Sequence, residues 1–540
     1  MSSKSKRLRP LEEDSPVRIG ELSLRLGPAA DLEEVCGWTR EGQSEDGRSF
    51  RILELPAAAV PEELGRALAI AGVAAPLARC EHEERALFAL RPTPGPTLDW
   101  VLKRREGLSL WDFSLVESLA ALFQRIHDAG LVFRYVGPEL FSVAADGAVG
   151  LELPEALRLP AEPASREVGV FTAPEVIAGA NGDARSDQFS LATLAYGLLT
   201  GRLPYRRGEF PLPRVYRRSL PHGTATALSR ATARPSSERY PSCLAFAEDL
   251  RARTLPRGRS PSGVSVGAAT EIGRLKSQSM PVNQDAWYFG LDGPSHRGML
   301  LVADGVSTAD VGSGDLASAM VRDAVREAWE GPVGEILRTH GGPLPEEWAK
   351  AALEAILEDA NARIYAFLKQ PIFVGSLGPA THPPGSTAVL AILDGDKMTV
   401  ATLGDSRLYL LRDRALEQMT VDQNLRTELL EAGRDPRAIP DQGALGALTH
   451  SVGSFFFDHE GGIGSRRLEA DVLPLHLRAG DRLLLCSDGV PDCLGEDAEE
   501  LIAEELGRGV DPTEIATRLC RLADEALGAD NITALVVLAV

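Results

Sequence analysis

Five short apolar runs in the second half of the chain each meet an aspartate at one end, next to turn-forming residues. The aspartates are Asp285, Asp304, Asp405, Asp488 and Asp530. Short apolar runs bounded by turn residues predict buried β-strands, and strand ends on one rim of a sheet would bring these carboxylates together. Such a cluster is repulsive unless protons or hard divalent cations neutralise it. Oxygen ligands without His or Cys suit Mg²⁺ or Mn²⁺ rather than Zn²⁺.

The competing interpretation of each aspartate is an ordinary turn, because Asp-Gly is a common hairpin connection. The stretch AILDGDKMTVA (391–401) predicts just that, two strands joined at Asp394-Gly395. The number of the other aspartates and their order along the chain favour a metal site. Cys486 and His450 are interpreted as structural residues, because one follows an apolar run and the other is isolated in a loop.

The chain is too long, at 540 residues, for one ordinary core. A stretch rich in Arg, Pro, Ser and Gly near the middle predicts a linker. We expect a disordered tail over 1–17, a first domain over 18–252, a linker over 253–267 and a second domain over 268–540.

Charge also divides the chain. Acidic and basic residues balance through residue 260, at 34 each, so the net charge of −20 falls in the second half. That balance argues against a nucleic-acid surface there and fits bound divalent cations.

The chain shows no pattern typical of export or membrane insertion. Its six cysteines form no C-x-x-C pair, and we expect a reducing cytoplasm and no membrane partner. The apolar helical run at 188–201 is too short to cross a bilayer. The abundance of Arg, Ala, Gly and Pro favours a bacterial source.

Several stretches of the first half occur in the order that they have in Ser/Thr protein kinases. They are LFQRIHDAGLVFRYVGPELF (122–141), GVFTAPEVIAG (169–179), SDQFSLATLAYGLLTGRLPY (186–205) and RPSSERYPSCLAFAEDL (234–250). The resemblance implies an α+β bilobal fold. It also implies that Glu175 pairs with Arg239 and that Asp187 ties the catalytic loop.

The residues that perform kinase chemistry are replaced. Phosphoryl transfer in kinases needs a lysine on the phosphates, acids on magnesium and an aspartate that accepts the hydroxyl proton. The matching positions hold Leu53, Tyr135, Leu140 and Leu153. A phenol, with a pKa near ~10, is no substitute for a carboxylate base at neutral pH. We therefore expect an inactive kinase-like domain. An active kinase that uses displaced residues and an unrelated helical domain are the alternatives.

Eight ordered blocks of the second half resemble the metal-dependent (type-2C) protein Ser/Thr phosphatases over residues 268–540. They are NQD (283–285), VADGVS (302–307), GSTAVLAIL (385–393), LGDSRLYLLRD (403–413), MTVDQNLRTELLEAG (419–433), LTHSVG (448–453), LLLCSDGV (483–490) and ADNITALVV (529–537). The resemblance implies an α/β/β/α sandwich of two antiparallel sheets flanked by helices.

The resemblance also implies a metal site. Its ligands would be Asp285, Asp304, Gly305 through its carbonyl, Asp405, Asp488 and Asp530. Asp304, Asp488 and Asp530 are the implied catalytic residues, with Asp304 bridging two ions and Asp405 serving a third. Two such ions lower the pKa of a bridging water and aim it at phosphorus.

Three positions depart from the family pattern. Gln284 stands in place of a glutamate, and Val306 in place of a histidine that some relatives carry. The usual phosphate-binding arginine is Met280 here. Arg274 or Lys276 is a candidate replacement, although solvated linker charge explains both equally well. The segment 419–447 is expected to form a flap over the site.

The sequence thus predicts a Mn- or Mg-dependent phosphatase acting on phosphoserine or phosphothreonine in proteins. The kinase-like half would regulate it or dock a partner, such as a signalling kinase or its target. Two alternatives stay open: a non-catalytic phospho-signalling scaffold of two pseudoenzymes, and a bifunctional kinase/phosphatase.

Overall fold

The structure of the chain, a computed structural model, forms two compact units. The N-terminal unit holds residues 1–216 and 227–254, and the C-terminal unit holds residues 217–226 and 255–540. The structure describes residues 10–19, 21–32, 37–56, 78–82, 85–90, 95–104, 110–133, 135–151, 156–158, 169–204, 210–254, 258–293, 296–310, 312–373, 381–439, 443–457 and 462–540.

An antiparallel sheet begins the N-terminal unit. Its strands are β1 (Pro16–Ile19), β2 (Leu22–Leu26), β3 (Ala30–Leu32), β4 (Gly37–Ser44), β5 (Ser49–Pro56), β6 (Ala78–His82) and β7 (Arg85–Leu90). Their order across the sheet is β1-β2-β4-β5-β7-β6, with β3 paired to β4. The apolar side chains of Ile19, Leu24, Phe50, Ile52 and Leu87 form its core.

Helices dominate the rest of the N-terminal unit. The elements from residue 98 to residue 254 are α1 (Leu98–Lys103), α2 (Leu110–Asp128), β8 (Val132–Phe133), β9 (Phe141–Val143), β10 (Val149–Leu151), β11 (Leu157–Arg158), α3 (Pro174–Ile177), α4 (Ala184–Thr200), α5 (Pro213–Tyr216), α6 (Thr224–Ala231) and α7 (Cys243–Thr254).

Two helices of this unit follow directly from their sequence pattern. The apolar residues of α2 from Leu115 to Ile126 are spaced so that they share one face, and they are buried. The chain leaves the helix at Gly130, whose φ is 78°. Helix α4 begins at an Asp183 capping box, ends at a left-handed Gly201 and is buried along most of its length. Both ends therefore satisfy backbone groups that a buried helix would otherwise leave unpaired.

The C-terminal unit is built on two five-stranded antiparallel sheets. Their orders are β12-β23-β22-β17-β18 and β13-β14-β15-β16-β21, and β19 and β20 form a separate pair. The strands are β12 (Val264–Ile272), β13 (Asp285–Asp292), β14 (Arg297–Asp304), β15 (Ala388–Asp394), β16 (Lys397–Leu403), β17 (Arg407–Arg412), β18 (Ala415–Gln418), β19 (Phe455–Phe457), β20 (Ile463–Ser465), β21 (Asp471–His476), β22 (Arg482–Cys486) and β23 (Asn531–Ala539). The predicted hairpin turn at Asp394-Gly395 joins β15 to β16.

The helices of this unit are α8 (Lys276–Ser279), α9 (Gly314–Glu330), α10 (Pro332–Thr339), α11 (Glu346–Leu368), α12 (Leu425–Glu431), α13 (Gly489–Leu494), α14 (Ala498–Gly507) and α15 (Pro512–Ala526). Of these, α9, α10 and α11 pack on one sheet, and α13, α14 and α15 pack on the other.

Alternation along the strands separates the core into layers. On β14, Leu300 and Val302 join the cluster between the sheets, whereas Leu301 joins the cluster under α9, α10 and α11. A third cluster packs α13, α14 and α15 on the other sheet. Successive strand residues point to opposite faces, so each strand serves two layers. The predicted α/β/β/α sandwich is confirmed for this half of the chain.

The structure corrects the predicted segment boundaries at two places. Strand β1 begins at Pro16, inside the tail expected over 1–17, and β12 begins at Val264, inside the linker expected over 253–267. The N–H groups of Ser262 and Gly263 already donate to the Val540 carbonyl. Pairing with the far end of the chain therefore orders a stretch whose composition is typical of a linker. Residues 1–9 and 255–257 of these segments lie outside the described residues.

The described part of the chain contains no helix both long and apolar enough to cross a membrane. Its cysteines, Cys80, Cys243, Cys486, Cys493 and Cys520, are free thiols.

Candidate metal centre

Strand ends from both sheets bring the five predicted aspartates to one end of the C-terminal unit. Asp285 begins β13 and Asp304 ends β14, and the two face each other in the register. Asp488 follows β22, and Asp530 precedes its neighbour β23. Asp405 lies in the connection between β16 and β17. We call these five residues the aspartate cluster.

The carboxyls of the cluster lie close enough to change one another's protonation. Burial raises the pKa of Asp285 to about 7, with the charges of Asp488 and Asp530 adding to the shift. Burial and then the charge of Asp488 raise the pKa of Asp405 to about 8. Burial, Asp285 and Asp488 also hold the pKa of Asp304 well above its usual value. The cluster is thus a concentration of negative charge that favours neutralisation.

Asp488 shares this environment and connects the members of the cluster. Burial raises the pKa of Asp488 to about 6, while a hydrogen bond with the Asp304 carboxyl acts in the opposite direction. Two acids that hydrogen-bond to each other in this way share a proton when no stronger cation is present.

Unsatisfied oxygens show which ligand fits the cluster. Within the described residues, Asp285 Oδ1 and Asp488 Oδ1 are buried and have no hydrogen-bond partner. A buried carboxylate oxygen without a partner is costly unless a cation compensates it. No group of three or more His, Cys, Asp or Glu side chains in the described ranges forms a complete metal-binding arrangement. The fit therefore rests on the donor chemistry, which is that of a hard, oxygen-binding ion.

Small hydroxyl residues support the carboxyls, and the sequence analysis missed them. Ser487 donates its hydroxyl to Asp285 Oδ2 over 2.8 Å. The backbone N–H of Asp304 donates to Thr387 Oγ1 over 2.9 Å, and Thr387 shares a 2.6 Å hydrogen bond with Ser406. Each hydroxyl stands within two residues of a cluster aspartate or in the GST block, which is a signal that could have identified it.

The structure distinguishes between the two candidate phosphate-binding cations. Lys276 Nζ lies 2.6 Å from Asp530 Oδ1 and 3.2 Å from Ser307 Oγ. Arg274 instead donates through its guanidinium to the Glu525 carbonyl over 3.0 Å and is exposed. Of these two residues, only Lys276 therefore contacts the cluster.

Gln284, one of the positions that depart from the family pattern, contacts Ser307 beside Lys276. The Ser307 hydroxyl donates to Gln284 Oε1 over 2.7 Å, and the Gln284 side chain is buried. Val306, between Gly305 and Ser307, donates its N–H to the Gly385 carbonyl over 2.9 Å. The chain thus places an uncharged Ser–Gln pair where a glutamate would add another negative charge.

A second ionic group borders Asp405 and was also missed from the sequence. Arg407 donates to Asp422, with Nη2 to Oδ2 at 2.8 Å, and lies 3.7 Å from Asp492. Burial raises the pKa of Asp492. Arg407 therefore supplies positive charge to the side of the cluster that holds Asp405.

The predicted flap, 419–447, contains α12 and two short 3₁₀ turns, Pro436–Ala438 and Gly443–Gly446. Beside α12 lies a cavity of about 230 Å³ within the C-terminal unit. It is lined by Arg218, Gln423, Asn424, Thr427, Glu428, Glu431, Thr449, His450, Glu469, Ala470 and Asp471.

Two residues interpreted from the sequence as structural, Cys486 and His450, are not members of the aspartate cluster. Cys486 is buried inside β22, and burial raises the pKa of its thiol far above the usual value. His450 Nδ1 lies 3.0 Å from the Thr449 hydroxyl at the cavity wall.

In the N-terminal unit, the residues expected to hold a kinase-like fold do contact one another. Arg239 Nη1 and Nη2 donate to the two Glu175 carboxylate oxygens over 2.8 and 2.9 Å. Asp187 Oδ2 accepts from the Phe133 N–H over 3.0 Å and lies 2.9 Å from His127 Nε2.

The replaced kinase positions carry no acid or lysine. Leu140 is fully buried in a 3₁₀ turn, and Tyr135 is partly buried in the preceding loop. The backbone of Leu53 lies in β5 opposite Phe88; Leu153 lies outside the described residues.

Comparison with known proteins concerns the C-terminal half. Residues 272–523 match the family model described as protein phosphatase 2C. The serine/threonine phosphatase stp of Listeria monocytogenes is 27% identical over 240 residues, which cover 44% of this chain and 83% of that protein. The phosphatase PstP of Mycobacterium tuberculosis is 29% identical over 255 residues, which cover 47% of this chain and 41% of that protein. The solved catalytic domain of PstP with two manganese ions is 26% identical, with a TM-score of 0.37, over 51% of this chain and 97% of that one.

Proposed function

We propose that residues 272–523, which match the protein phosphatase 2C family model, form a metal-dependent Ser/Thr phosphatase domain that hydrolyses phosphoserine and phosphothreonine in protein substrates. The observation that carries the proposal is the aspartate cluster, with its raised pKa values and its unpartnered buried oxygens. A chain that only bound phosphoproteins would gain nothing from holding five like charges together.

The cluster would hold two Mn²⁺ or Mg²⁺ ions, with a third at Asp405 and Asp488. The carboxylates of Asp285, Asp304, Asp488 and Asp530 and the Gly305 carbonyl would hold these ions. The ions would supply a water of lowered pKa and neutralise charge on the phosphoryl oxygens. The Ser487 hydroxyl orients the Asp285 carboxyl, and Thr387 fixes the backbone of Asp304, as supporting groups do at metal sites.

Lys276 would bind the substrate phosphate. Its ammonium lies at the edge of the cluster, where it contacts Asp530 and Ser307. An ammonium is a compact point charge that binds phosphate oxygens without a fixed fork geometry. Bound phosphate would give it a second anionic partner, so the side chain is already placed to orient substrate.

The N-terminal unit would be a kinase-like module without phosphotransfer activity. The order of β2, β4, β5, β7 and β6 in its sheet and the Glu175–Arg239 ion pair support this. Leu140 and Tyr135 cannot bind magnesium or accept a proton at neutral pH. We propose that the module docks a phosphorylated partner, a signalling kinase or its target, and that the protein works in the cytoplasm.

Turnover of p-nitrophenyl phosphate and of a phosphothreonine peptide with Mn²⁺ tests the proposal. Asp304→Asn should abolish both, whereas Asp413→Asn, the same change at an exposed turn with φ of 52°, should leave both unchanged. If wild-type turnover is no greater than that of Asp304→Asn, the chain is a scaffold and the proposal is wrong. ATP-dependent labelling by the N-terminal unit would instead indicate a bifunctional enzyme.

A further inference from the structure

A short segment that follows α5 and includes the first residues of α6 belongs to the C-terminal unit. Residues 217–226 cluster with that unit rather than with the residues on either side of them. Within the segment, Leu220 and Thr224 are buried, and Leu220 N–H closes a turn on the Arg217 carbonyl over 3.2 Å. We call residues 217–226 the strap.

The strap donates to a buried acid of the sheet β12-β23-β22-β17-β18. Glu417, on β18, has a side chain only 3% exposed. The Gly223 N–H donates to Glu417 Oε2, and His222 Nε2 lies 3.6 Å from the same oxygen. Because a buried carboxylate without donors is strongly unfavourable, Glu417 requires the strap, which is therefore an integral part of this unit.

The strap also links the flap helix, α12, to the sheet β13-β14-β15-β16-β21. Arg218 Nη2 donates to Glu431 Oε1, at the end of α12, over 2.7 Å. Its Nε donates to Asp471 Oδ2, at the start of β21, over 3.0 Å. The guanidinium fork can bind two carboxylates at once, and here it holds two that would otherwise repel each other. Glu428 and Glu469 add further acid to the same cavity wall.

The flap helix is connected in turn to the aspartate cluster. Gln423 lies next to Asn424, which caps α12. The Gln423 N–H donates to the Gly404 carbonyl, and the Gly404 N–H donates to Gln423 Oε1, each over 2.9 Å. Gly404 directly precedes Asp405. A change in how α12 is held therefore reaches the cluster through one residue on each side.

We propose that the strap holds the flap helix closed through Arg218, and so limits the access of phosphoproteins to the metal centre. The acidic cavity beside α12 is then a guanidinium site, occupied by this chain's own Arg218. The proposal rests on the proposed phosphatase function only for its effect on turnover, because the holding of α12 can be measured without substrate.

Hydrogen exchange of the full-length protein tests the holding directly. Arg218→Ala and Glu431→Gln should each speed amide exchange in 425–431 by about threefold to fivefold, the range expected for a partly exposed ion pair. Glu428→Gln is the matched control. It makes the same change on the same helix and in the same cavity wall, but not at Glu431 or Asp471, the carboxylates to which Arg218 donates, and it should leave exchange unchanged.

The second measurement compares a protein substrate with a small one. Arg218→Ala should raise kcat/KM for a phosphothreonine peptide by about threefold and leave that for p-nitrophenyl phosphate unchanged, because the small ester does not need the flap to open. Equal exchange in wild type, Arg218→Ala and Glu431→Gln would overturn the proposal. Faster exchange in a protein that never turns over either substrate would uphold the strap and refute the phosphatase function instead.

Discussion

The two units of this chain each hold a cluster of charged residues, and the clusters are opposite in kind. In the N-terminal unit, Glu175 meets the fully buried Arg239, and Asp187 meets His127 and a backbone N–H. Burial alone would raise the pKa of Glu175, but hydrogen bonds from Arg239 and Ser186 bring it below its usual value. In the C-terminal unit the acids meet chiefly one another, and burial raises the pKa of Asp285, Asp405 and Asp488.

The direction of the pKa shift distinguishes a charged cluster that stabilises the fold from one that needs a bound cation to neutralise it. A lowered acid pKa means that the folded chain already supplies compensating charge, whereas raised values mean that it does not. The resemblance to kinases includes Glu175 and Asp187, and the resemblance to phosphatases includes the aspartate cluster. Among these described acids, Glu175 and Asp187 accept hydrogen bonds, whereas Asp285 Oδ1 and Asp488 Oδ1 have no partner.

The largest expected effect is on catalysis in the C-terminal unit. Asp304→Asn should lower kcat for a phosphothreonine peptide by roughly a thousandfold or more, because several kcal/mol of transition-state stabilisation come from the ions that Asp304 would help to hold. The same change should leave thermal stability without metal equal to or above that of wild type, since it removes a buried like charge. A stable variant with full activity would contradict the comparison.

Removing a charged side chain in the N-terminal unit should instead lower stability and leave phosphatase activity unchanged. Arg239→Ala leaves the Glu175 carboxylate without its fork and three backbone carbonyls without a donor, and should cost about 3 kcal/mol of folding free energy. Denaturant unfolding followed in this unit measures the loss, while kcat with p-nitrophenyl phosphate should not change. Arg185→Ala, which removes one guanidinium contact to the Ser236 carbonyl, is the milder control.

The next expected effect is that the stability of the metal-free C-terminal unit depends on pH. Between the usual carboxyl pKa near ~4 and the raised values of Asp285, Asp405 and Asp488, the folded metal-free chain keeps protons that the unfolded chain has released, so stability falls as pH rises through that window. A loss of about 2 kcal/mol would lower the unfolding midpoint of the C-terminal unit by roughly 4–8 °C between pH 5 and pH 8.

Scanning calorimetry in EDTA measures this fall, and saturating Mn²⁺ should abolish it because the ion replaces the protons. A metal-free midpoint that rises with pH over the same window would show that the carboxyls are not held together.

The smallest expected effect concerns the cation that already contacts the aspartate cluster. Lys276→Gln should lower kcat/KM for the phosphopeptide by about tenfold, as expected for one charge-assisted contact to phosphate, mainly through a higher KM. It should also shift Mn²⁺ activation to lower concentration, because Asp530 loses an internal competitor.

Arg274→Gln is the matched control, two residues away and bonded to the Glu525 carbonyl instead. Equal effects of the two substitutions would mean that both cations are solvated linker charges, as their sequence context allows.

The elements that could be predicted from sequence are those whose signal is local. A helical periodicity indicates the face of α2 from Leu115 to Ile126, and turn chemistry indicates the hairpin at Asp394-Gly395. Each signal lies within a short stretch of sequence. The meeting of the aspartates is predicted from their positions at the ends of apolar runs, and the α/β/β/α sandwich from a resemblance in the order of motifs.

What could not be predicted depends on contacts between distant parts of the chain. Strand β12 carries the small residues of a linker and is ordered by pairing with β23, at the opposite end of the unit's sequence. Lys276 and Arg274 are equivalent by composition, and only the position of Asp530 separates them. The strap has no signal at all, because the partners of Arg218 lie more than 200 residues further along.

Asp285 and Asp304 come from one sheet of the sandwich, and Asp488 and Asp530 flank strands of the other. An ion held by both pairs would therefore link the two layers at one edge, while buried ion pairs such as Arg297–Asp394 and Arg412–Asp481 lie at the other ends of the strands. Removing the ion would let like charges push the layers apart at the first edge, so that unfolding and proteolysis would start beside the aspartate cluster. Metal supply would then govern how long each molecule survives as well as how fast it works.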